Sequence, residues 1–124
     1  MPRERAKKTV TKRSLPLEVR ISVKAGKAKK GEELIVLDLR GLCSFTDFFV
    51  IMHGNSPRQN VALYESVLQE LRKESSLPLS VEGVENAEWI LMDYGNFIVH
   101  VFSRNAREYY SLERLWGDAL KFSY

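Results

Sequence analysis

The segment Trp89-Ile-Leu-Met-Asp-Tyr-Gly-Asn-Phe-Ile-Val-His-Val-Phe102 decides the fold, because it predicts two β-strands joined by a tight turn. Its apolar and β-branched residues flank a Gly-Asn pair at positions 95 and 96. Glycine and asparagine are the residue types that adopt the positive φ angles of a two-residue hairpin loop. With this pair as the loop, Trp89 opposes Phe102, and each further pair follows one step closer to the turn.

The two faces of this hairpin carry different side chains. Successive side chains of a strand point to opposite faces, and opposed residues share a face. The first face is uncharged and is predicted to join the core; it consists of Ile90, Met92, Tyr94, Phe97, Val99 and Val101. The second face is nearly as apolar but includes an acid and a histidine; it consists of Trp89, Leu91, Asp93, Ile98, His100 and Phe102.

The second face requires a cover, because an antiparallel strand whose outer side meets water is normally polar on that side. A helix of the same chain would provide one cover. Another protein would provide the alternative, with Trp89 as an anchor residue of the kind that dominates binding interfaces. The local pattern supports the two interpretations equally.

The remaining chain alternates predicted strands and helices, which indicates an α/β fold with a small mixed sheet of about five strands packed with helices. Residues from Ser14 to near Gly31 fit both a capped helix and an alternating strand, and we favour the helix. Further strands are predicted over residues 33–39, 45–53 and 79–82, the last at a sheet edge because Pro78 precedes it.

The clearest local signal is Gly-Asn-Ser-Pro-Arg-Gln at residues 54–59. Ser56 is predicted to cap a helix, Pro57 to occupy its first position and Gln59 to complete a capping box. The helix should end at residues 75–76, and its predicted buried stripe is Val61, Tyr64, Leu68 and Leu71, with Leu63 and Val67 beside it. Later in the chain, the residues expected to close over the sheet are Leu112, Leu115, Trp116 and Ala119.

Length and composition indicate one domain, since 124 residues with 44% hydrophobic content suffice for a buried core. Cys43 is the only cysteine, which excludes a disulfide within the chain and suits a reducing cytoplasm. The sequence contains neither an apolar run long enough to span a bilayer nor a signal peptide. We therefore expect a cytoplasmic protein without a membrane partner.

The net charge of +3 is unevenly distributed. Residues 1–30 contain eleven Lys or Arg and two Glu, whereas residues 31–124 contain eight Lys or Arg and fourteen acids. We predict a disordered basic leader over residues 1–13 and a single α/β domain over residues 14–124. The leader would be either a solvated terminus or a charge-based contact with RNA phosphates, because no aromatic residue is interleaved with its cations.

The candidate catalytic residues do not form a recognisable motif. The Gly-Asn-Ser turn at residues 54–56 precedes a helix N-terminus, as anion sites and the Gly-Ser turn of nucleotidyltransferases do. That chemistry requires metal-binding carboxylates, and only Asp38, Asp47 and Asp93 could converge from different strands. His53 and His100 have neither metal-ligand spacing nor a nucleophile partner. We therefore expect no catalytic residue, metal or cofactor.

Several motifs in a fixed order resemble the ribosomal silencing factor (Iojap-like) family, over roughly residues 17 to 120. They are Thr46-Asp47-Phe48-Phe49-Val50-Ile51, Gly54-Asn55-Ser56 with Arg58-Gln59, Glu82-Gly83, Trp89 with Leu91, Asp93-Tyr94-Gly95, Val99-His100-Val101-Phe102, Arg107, Tyr110, Leu112-Glu113 and Leu115-Trp116. The resemblance implies a nucleotidyltransferase-like α/β fold that has lost catalysis.

The resemblance also implies a function and a binding surface. Such a factor binds large-subunit ribosomal protein number fourteen, blocks joining of the ribosomal subunits by occupying space, and so represses translation when nutrients are scarce. Roles in large-subunit assembly and homodimers of the free protein belong to the same expectation. The partner-binding surface would then be the second face of the hairpin, with apolar contacts from Trp89, Leu91, Ile98, His100 and Phe102, and with Asp93 oriented toward a basic partner.

Overall fold

The computed structural model describes residues 11–124; residues 1–10, and with them most of the predicted leader, lie outside the described residues. A 3₁₀ turn at Lys12–Ser14 precedes the first helix. The prediction of disorder was therefore wrong for Lys12 and Arg13, the last two residues of the predicted leader. The elements that follow, in chain order, are α1 (Leu17–Ala28), β1 (Glu32–Asp38), β2 (Phe48–Gly54), α2 (Pro57–Arg72), β3 (Ser80–Glu82), β4 (Trp89–Asp93), β5 (Phe97–Ser103), α3 (Arg104–Tyr110), α4 (Leu112–Leu115) and β6 (Leu120–Ser123). The α/β class is confirmed.

The strands form one mixed sheet in the order β3-β4-β5-β2-β1-β6. β2 and β5 are parallel, and the other neighbouring strands are antiparallel. The sheet therefore has six strands rather than about five. The unpredicted strand, β6, pairs with β1 at the sheet edge, where Phe122 opposes Val36.

The predicted register of the β4–β5 hairpin is confirmed, with Trp89 opposite Phe102 and Leu91 opposite His100. The Tyr94 amide donates to the Phe97 carbonyl across the loop, at 3.0 Å. The loop nevertheless requires only one residue at positive φ, since Gly95 has φ 89° and Asn96 is not in that region. The expectation that both loop residues take positive φ was wrong.

Helices α1 and α2 cover the first face of the sheet. The buried residues of this core include Val19 and Val23 from α1, Leu63 and Val67 from α2, and the predicted first-face residues of the hairpin, with Tyr94 at its margin. The helical interpretation of the ambiguous segment is thus confirmed. Gly26 lies inside α1 because a Cβ there would come within 2.8 Å of the Met52 side chain.

The start of α2 agrees with part of its predicted capping pattern. Ser56 Oγ accepts from the Gln59 amide at 3.0 Å, and Pro57 opens the helix. The Gln59 side chain, however, accepts from the Asn55 amide and donates to the Lys30 carbonyl, so it does not complete a capping box with Ser56. The buried line of α2 also differs from the predicted stripe, and consists of Asn60, Leu63, Val67 and Leu71.

Several predicted element boundaries were displaced, three of them by about three residues. Ser14 does not cap α1; it exchanges hydrogen bonds with Thr11 within the 3₁₀ turn, and Pro16 precedes the helix. β2 begins at Phe48 rather than at Phe45, whose side chain is exposed. Helix α2 ends at Arg72, three residues earlier than predicted, and the chain then turns through Ser75 at positive φ.

Candidate partner-binding surface

Short helices of the same chain cover part of the second face of the sheet. α3, α4 and the turn after α4 supply this cover, in which Ala106, Leu112, Trp116 and Ala119 pack against the strands. The predicted closure by the late apolar residues is therefore confirmed for three of the four. It was wrong for Leu115, which is 71% exposed.

The six predicted contact residues divide into a buried group and an accessible group. Ile98, His100 and Phe102 lie on β5, between β4 and β2, and are buried beneath the chain's own side chains. A partner that docks on this surface could not touch them directly. Trp89, Leu91 and Asp93 lie on β4, closer to the sheet edge, and remain partly exposed.

The Trp89 indole is held in one orientation by its neighbours. Its ring lies 5.0 Å from that of Phe102 and 4.5 Å from that of Tyr110, between centroids. Its Nε1–H donates to His100 Nδ1 at 3.0 Å. The polar atom of the indole therefore points into the protein, while part of its hydrocarbon surface remains accessible.

His100 is a neutral acceptor for this indole. Burial lowers the pKa of His100 from 6.5 to about 3, so the ring is uncharged near neutral pH. Because Nδ1 accepts from Trp89, the ring proton resides on Nε2, which has no hydrogen-bond partner among the residues that the structure describes. Phe49 packs edge-on against the ring at a centroid distance of 4.4 Å. His100 thus has a structural role, because it holds the Trp89 indole in place.

Two tyrosines extend the accessible surface beside Trp89. Tyr110 contacts the indole and is 48% exposed, and Tyr109 packs edge-on against Tyr110 and is 81% exposed. The sequence analysis did not assign either residue to the surface. Part of the signal was available, because adjacent residues of a helix point about 100° apart and two adjacent aromatic residues in a short surface helix therefore cannot both point straight into the core. We call Trp89, Leu91, Tyr109 and Tyr110 the indole patch.

Apart from the indole patch, the structure has a concave region at the carboxyl ends of the parallel strands β2 and β5, which encloses about 350 Å³. Arg107 is buried there and donates to Glu113 at 3.2 and 3.3 Å, and to the Glu32 carbonyl. It also donates to His53 Nδ1 at 3.0 Å, because a guanidinium cannot accept. Burial, and next the Arg107 charge, lower the pKa of His53. Arg107 pairs with Glu113 and Arg104 pairs with Glu32, which indicates a structural network.

The three carboxylates of the enzyme hypothesis do not converge. Asp38, Asp47 and Asp93 lie at the same end of the strands. β5 and β2 separate β4 from β1, however, which places Asp93 about 14 Å from Asp38 at the usual strand spacing. Asp38 pairs with Arg40 through two hydrogen bonds, and Asp93 accepts from the Gly95 amide of the turn. Within residues 11–124, no group of three or more His, Cys, Asp or Glu side chains could hold a metal ion.

Comparison with known proteins identifies the family. The family model described as "Ribosomal silencing factor during starvation" matches residues 12–123. The chain belongs to this family. The family is named for a silencing factor rather than for an enzyme, and the membership agrees with the resemblance seen in the sequence motifs.

Individual relatives of this silencing-factor chain agree with that assignment. "Ribosomal silencing factor RsfS" of Halalkalibacterium halodurans is 40% identical over 102 residues, which are 82% of this chain and 86% of the relative. A crystal structure of a Chromobacterium violaceum protein has a TM-score of 0.79 and 35% identity, and the match covers 81% of this chain and 83% of that one. A mouse protein named "Mitochondrial assembly of ribosomal large subunit protein 1" is 28% identical over 91 residues, 71% of this chain and 40% of its own length.

The helices of the described part of the chain are too short or too polar to cross a membrane.

Proposed function

We propose that this chain represses translation by binding large-subunit ribosomal protein number fourteen through the indole patch. The bound factor would occupy the space that the small subunit needs, and so would block subunit joining. The observation that carries the proposal is the part-exposed Trp89, fixed by His100, Phe102 and Tyr110, in a member of a family named for ribosome silencing.

The geometry of Trp89 supports a role as an interface anchor. A side chain that is already held by stacking and by a hydrogen bond loses little conformational entropy when a partner covers it. Tryptophan and tyrosine are also the residues that contribute most often to binding hot spots. Ile98, His100 and Phe102 would contribute indirectly, by holding the indole and its strand in place.

Charge complementarity supports a basic partner. Residues 31–124 carry eight cations and fourteen acids, a net charge of −6. Asp93 adds a part-exposed carboxylate at the end of β4, two residues from Leu91 of the indole patch. Opposite charges across an interface orient the partners and accelerate their encounter, which suits a cationic ribosomal protein.

The first test is the variant Trp89→Ala. Removing the anchor should weaken binding to purified large subunits by about 2 kcal/mol or more, roughly thirtyfold, as hot-spot truncations do. The matched control is Leu17→Ala, which removes another exposed apolar side chain from α1, on the opposite side of the sheet. Thermal unfolding of both variants shows whether they remain folded. Binding by a folded Trp89→Ala variant with unchanged affinity would remove Trp89 from the interface.

The second test concerns subunit joining. In sucrose gradients the chain should sediment with free large subunits, and added chain should reduce the fraction of joined ribosomes. Trp89→Ala should lose both effects together if binding and blocking share one surface. Sedimentation of the chain with joined ribosomes would contradict a steric block.

A role in large-subunit assembly is the second candidate, and the name of the mouse relative favours it. The two roles separate experimentally. A silencing factor blocks the joining of mature, purified subunits, whereas an assembly factor leaves mature subunits unaffected and its depletion causes large-subunit precursors to accumulate.

The same proposal includes the state and location of the free protein. An exposed apolar patch such as the indole patch would pair with a second copy in the absence of the ribosome, so we expect a cytoplasmic homodimer that dissociates on binding. Sedimentation equilibrium measures the dimer, and Trp89→Ala should weaken it. The part of the basic leader that precedes the 3₁₀ turn would reach neighbouring rRNA.

A further inference from the structure

The basic character of the first thirty residues continues into the folded protein. Arg20, Lys24 and Lys27 follow one another on α1 at intervals of four and three residues, and all three are exposed. This spacing places them on one side of the helix. Glu18, the only acid of α1, points about 160–180° away from Arg20 and Lys27 at 3.6 residues per turn. The exposed side of α1 is therefore cationic without an interleaved acid.

The 3₁₀ turn and the residue after β6 complete a concave surface beside this helix. A cavity of about 200 Å³ lies here, lined by Lys12, Arg13, Arg20, Val23 and Tyr124. Three of these residues are cations, none is an acid, and Val23 is buried. We call Lys12, Arg13, Arg20, Lys24, Lys27 and Tyr124 the basic groove.

Contacts with neighbouring groups fix several side chains of the basic groove. The Lys12 ammonium lies 4.3 Å from the centroid of the Tyr124 ring, and the Lys27 ammonium lies 6.0 Å from it. Arg20 Nε donates to the Leu15 carbonyl at 3.0 Å, which leaves the outer nitrogens of the guanidinium for a ligand. The groove thus contains oriented donors.

We infer that the basic groove binds the phosphate backbone of RNA, with one phosphate seated in the cavity between Lys12, Arg13 and Arg20. The inference rests on the proposed function only in taking the ribosome as the setting, and it does not require the indole patch. Clustered cations with an accessible aromatic ring are the usual means of holding a nucleic-acid backbone. The cavity lining has no exposed aliphatic side chain that would enter a membrane, which favours RNA over a lipid surface.

The position of the basic groove makes it independent of the indole patch. Helix α1 packs on the first face of the sheet, as Tyr124 does, whereas Trp89 and Leu91 belong to the second. One molecule could therefore bind a protein on one side of the sheet and RNA on the other. The groove would also be an RNA-binding site within the folded domain, in addition to any contact that the leader makes.

The test measures how the full chain binds a fluorescein-labelled RNA hairpin, by anisotropy over a salt series. The groove variant is Arg20→Glu with Lys24→Glu and Lys27→Glu. It should bind at least about tenfold more weakly, and the slope of log affinity against log salt should decrease by about two to three. The matched control reverses three exposed cations of α2 and of the residue that follows it, as Arg58→Glu with Arg72→Glu and Lys73→Glu, and should stay within about twofold of the parent.

Further comparisons separate the alternatives. Arg3→Glu with Arg5→Glu and Lys8→Glu reverses the leader, and a loss confined to that variant would overturn the groove. Equal losses in the groove and α2 variants would show a general charge effect and would also overturn it. Tighter binding to phosphatidylglycerol vesicles than to the hairpin would assign the groove to membranes instead. Circular dichroism verifies that each variant is folded.

Two controls distinguish failure of this inference from failure of the proposed function. Trp89→Ala should bind the hairpin as the parent does, because the indole patch lies on the other face of the sheet. The groove variant should bind isolated ribosomal protein number fourteen with unchanged affinity. Loss of hairpin binding in Trp89→Ala would contradict the independence of the two surfaces.

Discussion

The two faces of the sheet present similarly apolar strands but differ in how they are covered. The first face lies under α1 and α2, helices of 12 and 16 residues, which bury Leu63, Val67 and Leu71 completely. The second face lies under α3 and α4, helices of 7 and 4 residues, and leaves Trp89 and Leu91 partly exposed. Similar strand patterns therefore serve a closed core on one side and an accessible surface on the other.

This difference separates stability from recognition. Removing a side chain from the first, closed face leaves a cavity and lowers the free energy of unfolding. Removing an exposed side chain from the second, open face mainly changes the surface that a partner binds. Substitutions on the two faces should therefore have different consequences.

The largest loss of stability is expected on the closed face. Leu63→Ala removes a completely buried side chain and should lower the free energy of unfolding by about 2–5 kcal/mol. Leu112→Ala makes the same chemical change on the second face, where the side chain is only partly buried, and should cost less than half as much. Urea unfolding measures both variants. Equal losses would show that the two faces are equally closed.

The next largest effect is a dependence of stability on pH that originates at His100. Its pKa is about 3 in the folded protein against 6.5 ordinarily, so between these values the unfolded chain binds a proton that the folded chain does not. The stability contributed by neutral His100 is complete above pH 6.5 and is lost as pH falls toward 3, by up to about 1.4 kcal/mol per pH unit.

His100→Phe tests this dependence, because phenylalanine keeps an aromatic ring beside Phe49 and Phe102 but does not titrate. Urea unfolding between about pH 4 and pH 7 should show a shallower loss of stability in the variant than in the parent. Every ionisable group other than His100 is the same in both proteins, so the difference between the two curves isolates His100. Parallel curves would mean that His100 is not the source.

A smaller effect is expected at the turn that sets both faces of the hairpin. Gly95→Ala places a Cβ at a residue with φ 89°, and should lower stability by about 1 kcal/mol. The control is Asn96→Ala, which changes the other loop residue, one that does not need positive φ, and should be nearly neutral. Thermal unfolding compares the two variants. A larger loss of stability in Asn96→Ala than in Gly95→Ala would contradict the assignment of Gly95 as the position that needs positive φ.

The smallest effect is expected for Leu115→Ser. Because this side chain is 71% exposed, the substitution should change the free energy of unfolding by less than about 0.5 kcal/mol. Chemical denaturation is sufficient to measure it. A loss of several kcal/mol would mean that Leu115 covers the second face after all, as the sequence had indicated.

Features set by neighbouring residues were predictable from the sequence. The hairpin register follows from a two-residue loop, and the start of α2 follows from Ser56 and Pro57. The edge position of β3 follows from Pro78. Each of these conclusions needs only a few adjacent residues, because turns and caps are local hydrogen-bonding problems.

Features set by distant residues were not predictable. β6 has four residues, Lys121 and Ser123 among them, and becomes a strand because β1 offers it an edge. The burial of Ile98 and His100 depends on the central position of β5, which the hairpin pattern does not reveal. The contact between Trp89 and Tyr110 joins two elements through the tertiary fold. The prediction for Leu115 failed because α4 has only four residues, too few for the sequence pattern to show which side of the helix is buried.

Both tryptophans of the chain, Trp89 and Trp116, belong to the second face of the sheet. Nearly all of the intrinsic ultraviolet emission of the protein therefore originates on one side of the molecule. A ligand arriving on that side would alter the emission spectrum without any attached dye, while one arriving beside α1 would leave it almost unchanged. The protein thus contains its own optical reporter of the side on which it is bound.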